Sequence, residues 1–150
     1  MVLVLTLCVG ACFTLTSCGD KGADYTVGIC QLMVHDSLDR ATQGFIVGMT
    51  KALEAEGKAV EFDTQVAGEA NLCTTVVNTF TAKNVDLIMA NATPALLAAA
   101  NATTTIPVLG TSVTDYQDTF SSNIPTNVSA VRLVVDPTPE NIMNRCCTCR

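Results

Sequence analysis

The sequence is poor in several residue types on which common functions depend. Eight basic side chains face fourteen acidic ones in 150 residues, and only seven residues are aromatic, five Phe and two Tyr. Nucleic-acid binding depends on a basic surface, often with aromatic side chains for stacking, so this composition argues against a nucleic-acid partner. The chain also has a single histidine, which argues against a catalytic or metal site built from several imidazoles.

Motifs typical of nucleotide and ester chemistry are absent as well. No G-x-x-x-x-G-K-[ST] loop occurs, no G-x-G-x-x-G follows the first predicted strand, and no G-x-S-x-G turn is present. Backbone loops of the first two kinds hold phosphates, and the third presents a serine nucleophile. Nucleotide binding is therefore disfavoured, and no serine nucleophile is indicated.

The length and composition are those of one folded domain. A chain of 150 residues can bury about 70% of its unfolded surface. Its apolar fraction of 49% and charged fraction of 15% argue against wholesale disorder. We expect the folded part to lie between an apolar amino-terminal segment and a carboxyl-terminal segment rich in cysteine.

The amino-terminal segment has the features of a secretion signal. Residues 1–15 carry no charge and are too few to span a membrane, which takes about 20 residues. Leu15, Thr16, Ser17, Cys18 and Gly19 follow, and this string resembles a bacterial lipobox. The resemblance implies a signal peptide at 1–17, lipidation of Cys18, a tether at 18–24 and an extracytoplasmic, membrane-anchored protein. The alternative is an ordinary cysteine within a signal peptide.

Hydrophobic periodicity predicts alternating strands and helices after residue 24. Strands separated by helices of this length form a parallel sheet with right-handed crossovers. We predict an α/β fold with a doubly wound parallel sheet, flavodoxin- or Rossmann-like, in the strand order 2-1-3-4. Asp36 or Ser37 is expected to cap the first helix, and Gly57 to follow it. The predicted strands are 25–32, 58–63, 85–89 and 106–109, and the predicted helices are 38–56, 71–82 and 94–101.

In such sheets ligands bind at the carboxyl ends of the strands, where the strand order reverses. The loops at that point are 32–37 and 90–93, with 110–116 beside them. Thr93 is a candidate N-cap and Pro94 a candidate first helical residue. A helix amino terminus suits a carboxylate or a phosphate, although the alternative is a plain capped helix.

The loop at 110–116 is rich in hydroxyl groups and ends in a carboxylate and a phenol. Asp115 could balance a ligand amine, or it could cap a local turn. Gln31 lies at the end of the first predicted strand, and His35 lies in the loop after it. Without a nucleophile motif, His35 is better explained as a solvated or ligand-contacting residue than as a catalytic one.

Several strings together resemble one family, the substrate-binding lipoproteins of ABC importers. The resemblance is to the branch associated with aromatic amino acids such as tryptophan and tyrosine. It covers about residues 15–129. The strings are YTVGICQ at 25–31, LDRATQG at 38–44, VDLIMANA at 85–92, IPVLGTSVTDY at 106–116 and TNVS at 126–129.

This resemblance implies a type I periplasmic binding protein with two α/β lobes that close on a small amino acid-like ligand, and an ABC permease as partner. We therefore expect a binding protein without a cofactor, and not an enzyme. Residues 25–129 would be the first lobe, and 126–129 would lead towards the hinge. One lobe alone would enclose the ligand only in part, so weak binding or none is expected. The ligand contacts carried over by position are Gln31, His35, Asn91, Ala92, Thr93, Thr111, Ser112 and Asp115.

The last residues depart from the family pattern. Residues 130–150 hold three of the eight cysteines, Cys146, Cys147 and Cys149. Thiolates bind soft metals, but no second cysteine pair or nearby histidine completes a zinc site. We expect no metal site, and we interpret 130–150 as an aberrant tail from a frame change, recombination or truncation.

Two other functions remain open on the same sequence. A small flavodoxin-like flavoprotein or enzyme would use the same sheet, but it needs a glycine- and hydroxyl-rich loop after the first strand. Residues 31–36 do not supply one. A surface lipoprotein that binds thiols or metals through the carboxyl-terminal cysteines is the other alternative.

Overall fold

A computed structural model describes residues 22–121 and 123–130, apart from the side chain of Gln117. The proposed signal peptide, Cys18 and residues 131–150 lie outside these described residues. The chain alternates strands and helices, as the hydrophobic pattern predicts. In chain order the elements are β1 (Tyr25–Gln31), α1 (Asp36–Ala55), β2 (Val60–Val66), a 3-10 turn (Ala70–Leu72), α2 (Cys73–Lys83), β3 (Leu87–Asn91), α3 (Thr93–Ala102), β4 (Val108–Thr111), α4 (Tyr116–Phe120) and β5 (Val128–Ala130).

The strands form one all-parallel sheet in the order β2-β1-β3-β4-β5. This confirms the α/β fold class and the predicted order 2-1-3-4, and it adds a fifth strand at the edge. The order reverses between β1 and β3, because the chain returns past β1 after building β2. That reversal places the carboxyl ends of β1 and β3 side by side.

Helices cover both faces of the sheet, as in a doubly wound fold. On one face Val27, Ile29 and Met89 pack against partly buried residues of α1 such as Phe45 and Met49. On the other face Cys30, Ile88 and Ala90 belong to the larger core, to which α2 and α3 contribute. Successive side chains of a strand point to opposite faces, so the central strands are apolar on both.

The helices on the two faces of the sheet are buried to different extents. Only Thr42 is buried among the twenty residues of α1, whereas α3 buries five of its ten residues. On the α2 and α3 face, Gly28 leaves room for the ring of Phe80. A Cβ at position 28 would lie 2.5 Å from Phe80 Cγ. The helices on this face therefore approach the sheet closely.

Several element boundaries differ from the sequence predictions. α1 begins at Asp36 and is capped by His35, not by Asp36 or Ser37. β2 is shifted towards the carboxyl end and runs to Val66. The sequence prediction lacked the short elements α4 and β5, and β5 overlaps the string at 126–129 that was expected to lead to a hinge. Elements of three to five residues are too short to show a period.

Candidate functional site

Three polar residues form a row at the carboxyl edge of the sheet. Gln31, Asn91 and Thr111 are the last residues of β1, β3 and β4. Gln31 is in register with Asn91, and Asn91 with Thr111. A main-chain hydrogen bond also joins the ends of β3 and β4, because the N–H of Ala92 donates to the carbonyl of Thr111 at 3.0 Å. The row lies at the reversal of strand order, where parallel sheets bind ligands.

Thr42 of α1 connects two members of this row. Its hydroxyl donates to Gln31 Oε1 at 2.7 Å and accepts from Asn91 Nδ2 at 2.9 Å. Gln31 Nε2 in turn donates to Asp39 Oδ1 at 2.6 Å and to the carbonyl of Met33 at 2.9 Å. Each donor is matched to an acceptor, so the network fixes both side-chain amides in one orientation.

Asn91 is completely buried, yet one of its polar atoms has no partner within the described residues. Its Nδ2 donates to the carbonyl of Leu38 at 2.8 Å and to Thr42, while its Oδ1 is buried without a hydrogen bond. Buried polar atoms are nearly always hydrogen-bonded, because leaving one unpaired costs about 1–3 kcal/mol. Asn91 Oδ1 is therefore a buried acceptor that no donor among the described residues satisfies.

Ala92, directly after Asn91, has a strained backbone. Its φ is 104° and its ψ is 158°, a region that almost only glycine occupies. The expectation that Thr93 caps α3 is wrong. Ala92 is the N-cap residue, no side chain caps the helix, and Pro94 is its second residue. The first bond of α3 runs from the N–H of Leu96 to the carbonyl of Ala92 at 3.0 Å, so the N–H groups of Thr93 and Ala95 precede it.

The loop after β4 also contains a left-handed residue, Ser112, with φ of 56°. Asp115 lies further along this loop and acts as a cap for α4. Its Oδ1 accepts from the N–H of Asp118 at 3.1 Å, and its carbonyl accepts from the N–H and the hydroxyl of Thr119. The capping role foreseen as an alternative for Asp115 is thus what the structure shows.

His35 is exposed in the loop between β1 and α1. Its Nδ1 accepts from the N–H of Ser37 at 3.3 Å and lies 2.9 Å from Ser37 Oγ. His35 therefore stabilises the start of α1. The loop residues before it, Leu32, Met33 and Val34, include no glycine or hydroxyl of the kind that a flavin phosphate needs, and Val34 is 78% exposed.

Two residues of the network were missed by the sequence analysis, Asp39 and Thr42. A signal for Thr42 exists, because it lies on the same helical stripe as Leu38, Phe45 and Met49. A single hydroxyl residue on an apolar stripe is buried with the stripe, and a buried hydroxyl needs partners. Asp39 gives no comparable signal, because an acidic residue in the first turn of a helix is already explained by its favourable interaction with the helix dipole.

Outside the carboxyl edge of the sheet, the described domain shows fewer features of a ligand-binding site. An apolar cavity of about 200 Å³ lies at the opposite, amino edge of the sheet, and no polar network of the kind around Thr42 lines it. Among residues 22–121 and 123–130 there is no cluster of three metal-ligating side chains, and no helix has the length and apolar character to cross a membrane. The cavity is lined by Tyr25, Val27, Met49, Leu53, Asp86 and Leu87.

The family model for ABC transporter substrate binding proteins matches residues 26–131. This chain belongs to that family. A curated relative, a tyrosine-binding protein of Clostridioides difficile strain R20291, is 38% identical over 98 residues, which are 64% of this chain and 28% of the relative. The family assignment confirms the resemblance found in the sequence.

Solved structures of family relatives have the same fold over the described domain. One is the ligand-free, open structure of a substrate binding protein with adhesive properties from Clostridium difficile, with a TM-score of 0.61 and 35% identity. Another is the ABC domain in complex with L-Trp from Streptococcus pneumonia, with a TM-score of 0.61 and 30% identity. Both matches cover 71% of this chain and 38% of the other, so the chain spans well under half the length of these relatives.

Proposed function

We propose that residues 25–129 form one lobe of an extracytoplasmic binding protein that presents a small amino acid to an ABC permease. The observation that carries this proposal is the buried amide of Asn91 at the end of β3, with an unpaired Oδ1 beside the amino terminus of α3. A zwitterionic ligand needs a donor set for its carboxylate and an acceptor for its ammonium, and these two groups provide both.

The carboxylate of the ligand would bind at the start of α3. The N–H groups of Thr93 and Ala95 precede the first bond of the helix, and the helix dipole favours a negative charge there. The strained backbone of Ala92 supports this assignment, since strain of this kind concentrates at binding sites.

The ammonium group of the ligand would donate to Asn91 Oδ1, which is fully buried in this structure, so binding requires the side chains that cover it to move. Thr111 and Ser112 follow on the neighbouring strand and supply further hydroxyl acceptors, with Asp115 as a carboxylate in the same loop. Gln31 orients the row through Thr42, and His35 lies in the loop that borders it. Exposed Met33 and Val34 in that loop offer apolar surface to an aromatic side chain.

The remaining parts of the proposal concern the whole protein. The relatives are much longer than the matched region, which supports a second lobe that closes over the ligand about a hinge. Lipidation at Cys18 would hold the protein at the outer surface of the cell membrane. The role is binding and delivery, with no chemical step.

Nuclear magnetic resonance titration of the purified chain tests the site directly, because it detects millimolar binding. L-tyrosine and L-tryptophan should shift the amide resonances of Thr93 and Ala95 and the side-chain amide of Asn91. Tyramine lacks the carboxylate and 3-(4-hydroxyphenyl)propanoate lacks the amine, so each should shift only part of this set. If neither amino acid perturbs the carboxyl edge of the sheet, the proposed site is wrong. If both act no differently from L-glutamate, the loop with Met33 and Val34 does not select an aromatic side chain.

A further inference from the structure

Cys30 and Cys73 form a buried thiol pair that the binding site does not use. Cys30 is near the end of β1, and Cys73 is the first residue of α2. Both are completely buried, and both belong to the core cluster between the sheet and helices α2 and α3. The two thiols are near enough to affect each other's pKa, and Cys73 Sγ lies 3.7 Å from the carbonyl of Glu69.

The packing of α2 on β1 explains why these two side chains meet. α2 connects the carboxyl end of β2 to the amino end of β3, so it runs opposite to the strands. Phe80 lies directly over Gly28. From that contact, Cys30 is two residues further along β1, about 6.7 Å towards the carboxyl edge. Cys73 is two turns back along α2, about 10.5 Å towards the same edge.

Gly28 lets α2 approach β1 closely in the region of the two thiols. A side chain at position 28 would hold α2 away from the strand, because its Cβ would lie 2.5 Å from the Phe80 ring. A disulfide requires its two Cα atoms within about 7 Å, which is closer than most helices approach a sheet. The close approach at Gly28 and the burial of both thiols in one core cluster favour such a separation.

We propose that Cys30 and Cys73 form an internal disulfide that joins β1 to α2 when the chain folds in the presence of a disulfide oxidant. The reaction with glutathione disulfide is two successive exchanges. One cysteine thiolate attacks a glutathione sulfur and releases a glutathione thiolate, and the second cysteine then attacks the mixed disulfide and releases another. Two electrons pass to the oxidant, and the two cysteine protons end on two glutathione thiols.

The folded reduced domain resists the same reaction. Burial, with the neighbouring Cys73, raises the pKa of Cys30 to about 12, so at pH 8 only about one thiol in ten thousand is ionised. Both sulfurs are also inaccessible to an oxidant in solvent. The disulfide therefore forms during folding, while the thiols are exposed, and is afterwards protected from reductants.

Peptide mapping of the full chain tests the proposal. The reduced, denatured chain is refolded in a glutathione redox buffer, alkylated and digested with trypsin. Cleavage after Lys21, Arg40, Lys58 and Lys83 places Cys30 in peptide 22–40 and Cys73 in peptide 59–83, apart from the other six cysteines. The expected product is these two peptides joined, about two mass units lighter than their reduced sum. Alkylation of both cysteines, or their linkage to cysteines in 1–21 or 146–150, would overturn the proposal.

Three controls separate a pairing directed by the fold from random oxidation. The same oxidation in concentrated urea should give little of the 22–40 and 59–83 linkage, and equal yields would show that the fold does not direct it. The oxidised chain should melt at least about 5 °C above the reduced chain, whereas a Cys73→Ser variant should show no such difference. Folded reduced protein should oxidise at least tenfold more slowly than refolding protein, and equal rates would contradict formation during folding.

Discussion

Asn91 donates a hydrogen bond from its Nδ2 to the hydroxyl of Thr42 at 2.9 Å, which joins the end of β3 to the second turn of α1. Because the same hydroxyl donates to Gln31, one side chain orients the amides at the ends of two neighbouring strands. A polar residue on the inner face of α1 thus sets which atoms the carboxyl edge of the sheet offers to a ligand.

Replacement of Thr42 should therefore lower the stability of the domain, and the loss should be larger when the hydroxyl is removed than when it is kept. In a Thr42→Val variant, Gln31 Oε1 and Asn91 Nδ2 each lose a partner while the side-chain volume is kept. We expect the free energy of unfolding to fall by about 2–4 kcal/mol. Thr42→Ser keeps the hydroxyl and should lose less than half as much. Urea denaturation monitored by circular dichroism measures both, and equal losses would show that packing dominates at this position.

A methyl group at Gly28 should destabilise the domain. In Gly28→Ala the new Cβ would lie 2.5 Å from the Phe80 ring, and the overpacking should cost about 1–3 kcal/mol. The matched control is Gly48→Ala on α1, where a Cβ meets nothing within 4 Å. There alanine should stabilise the helix by up to about 1 kcal/mol. Thermal denaturation should move in opposite directions for the two variants, and a common direction would contradict this account.

Glycine should be preferred over alanine at position 92. The backbone of Ala92 has φ of 104°, so Ala92→Gly should relieve strain and raise stability by about 1 kcal/mol. Ala99 offers a control, since it is buried within α3, where glycine should lower stability by about 1 kcal/mol or more. A loss of stability in Ala92→Gly would show that the conformation is not strained.

The ion pair between Asp63 and Lys83 should give a small stability term that depends on pH. Their charged atoms are 2.6 Å apart, and the hydrogen bond from Lys83 lowers the pKa of Asp63 below its ordinary value of 3.8. A carboxyl with a lowered pKa stabilises the folded state above its unfolded pKa, and the contribution disappears as pH falls through the folded value.

Lys83→Met should therefore cost stability at pH 7 but little at pH 2. The Lys83 side chain is 55% exposed, so solvent screening limits the loss at pH 7 to about 1 kcal/mol at most. Lys51→Met, at another exposed lysine, controls for removal of one positive charge. If the two variants show the same dependence on pH, the ion pair contributes nothing.

Lipidation at Cys18 predicts a specific change in the protein from cells. With the native sequence, the mature chain should begin at Cys18, partition into detergent and carry a lipid mass on its first residue. Cys18→Ala should abolish the lipid mass and the detergent partitioning. Ser17→Ala keeps a small residue before the cleavage point and should be processed normally. Intact-protein mass spectrometry distinguishes these products, and an unmodified Cys18 in the native protein would refute the anchor.

Much of the fold could be read from the sequence because hydrophobic spacing determines which residues face the sheet. Gln31, Asn91 and Thr111 lie at or just after the ends of predicted strands, and parallel strands end at one edge, so their proximity followed from the order 2-1-3-4. The residues that cap the helices could not be predicted from hydrophobic spacing. His35 caps α1 although Asp36 and Ser37 are the stronger candidates by type, since the local main chain decides which side chain reaches the first turn.

The details of the carboxyl edge of the sheet were harder to predict from the sequence. The positive φ of Ala92 runs against the preference of alanine, so it depends on the surrounding structure and not on the residue itself. The role of Thr42 depends on hydrogen bonds across three elements, α1, β1 and β3. A pattern of apolar and polar residues does not encode the direction of those bonds.

The shallow burial of α1 should let that helix open more easily than α3. With Thr42 as its one buried residue, α1 should separate from the sheet at a lower free energy than α3, and its amides should exchange with solvent sooner. Because Thr42 also positions the Gln31 and Asn91 amides, each such opening disorders the carboxyl edge. A molecule that binds this edge would then slow hydrogen exchange along α1, even at amides that it never touches.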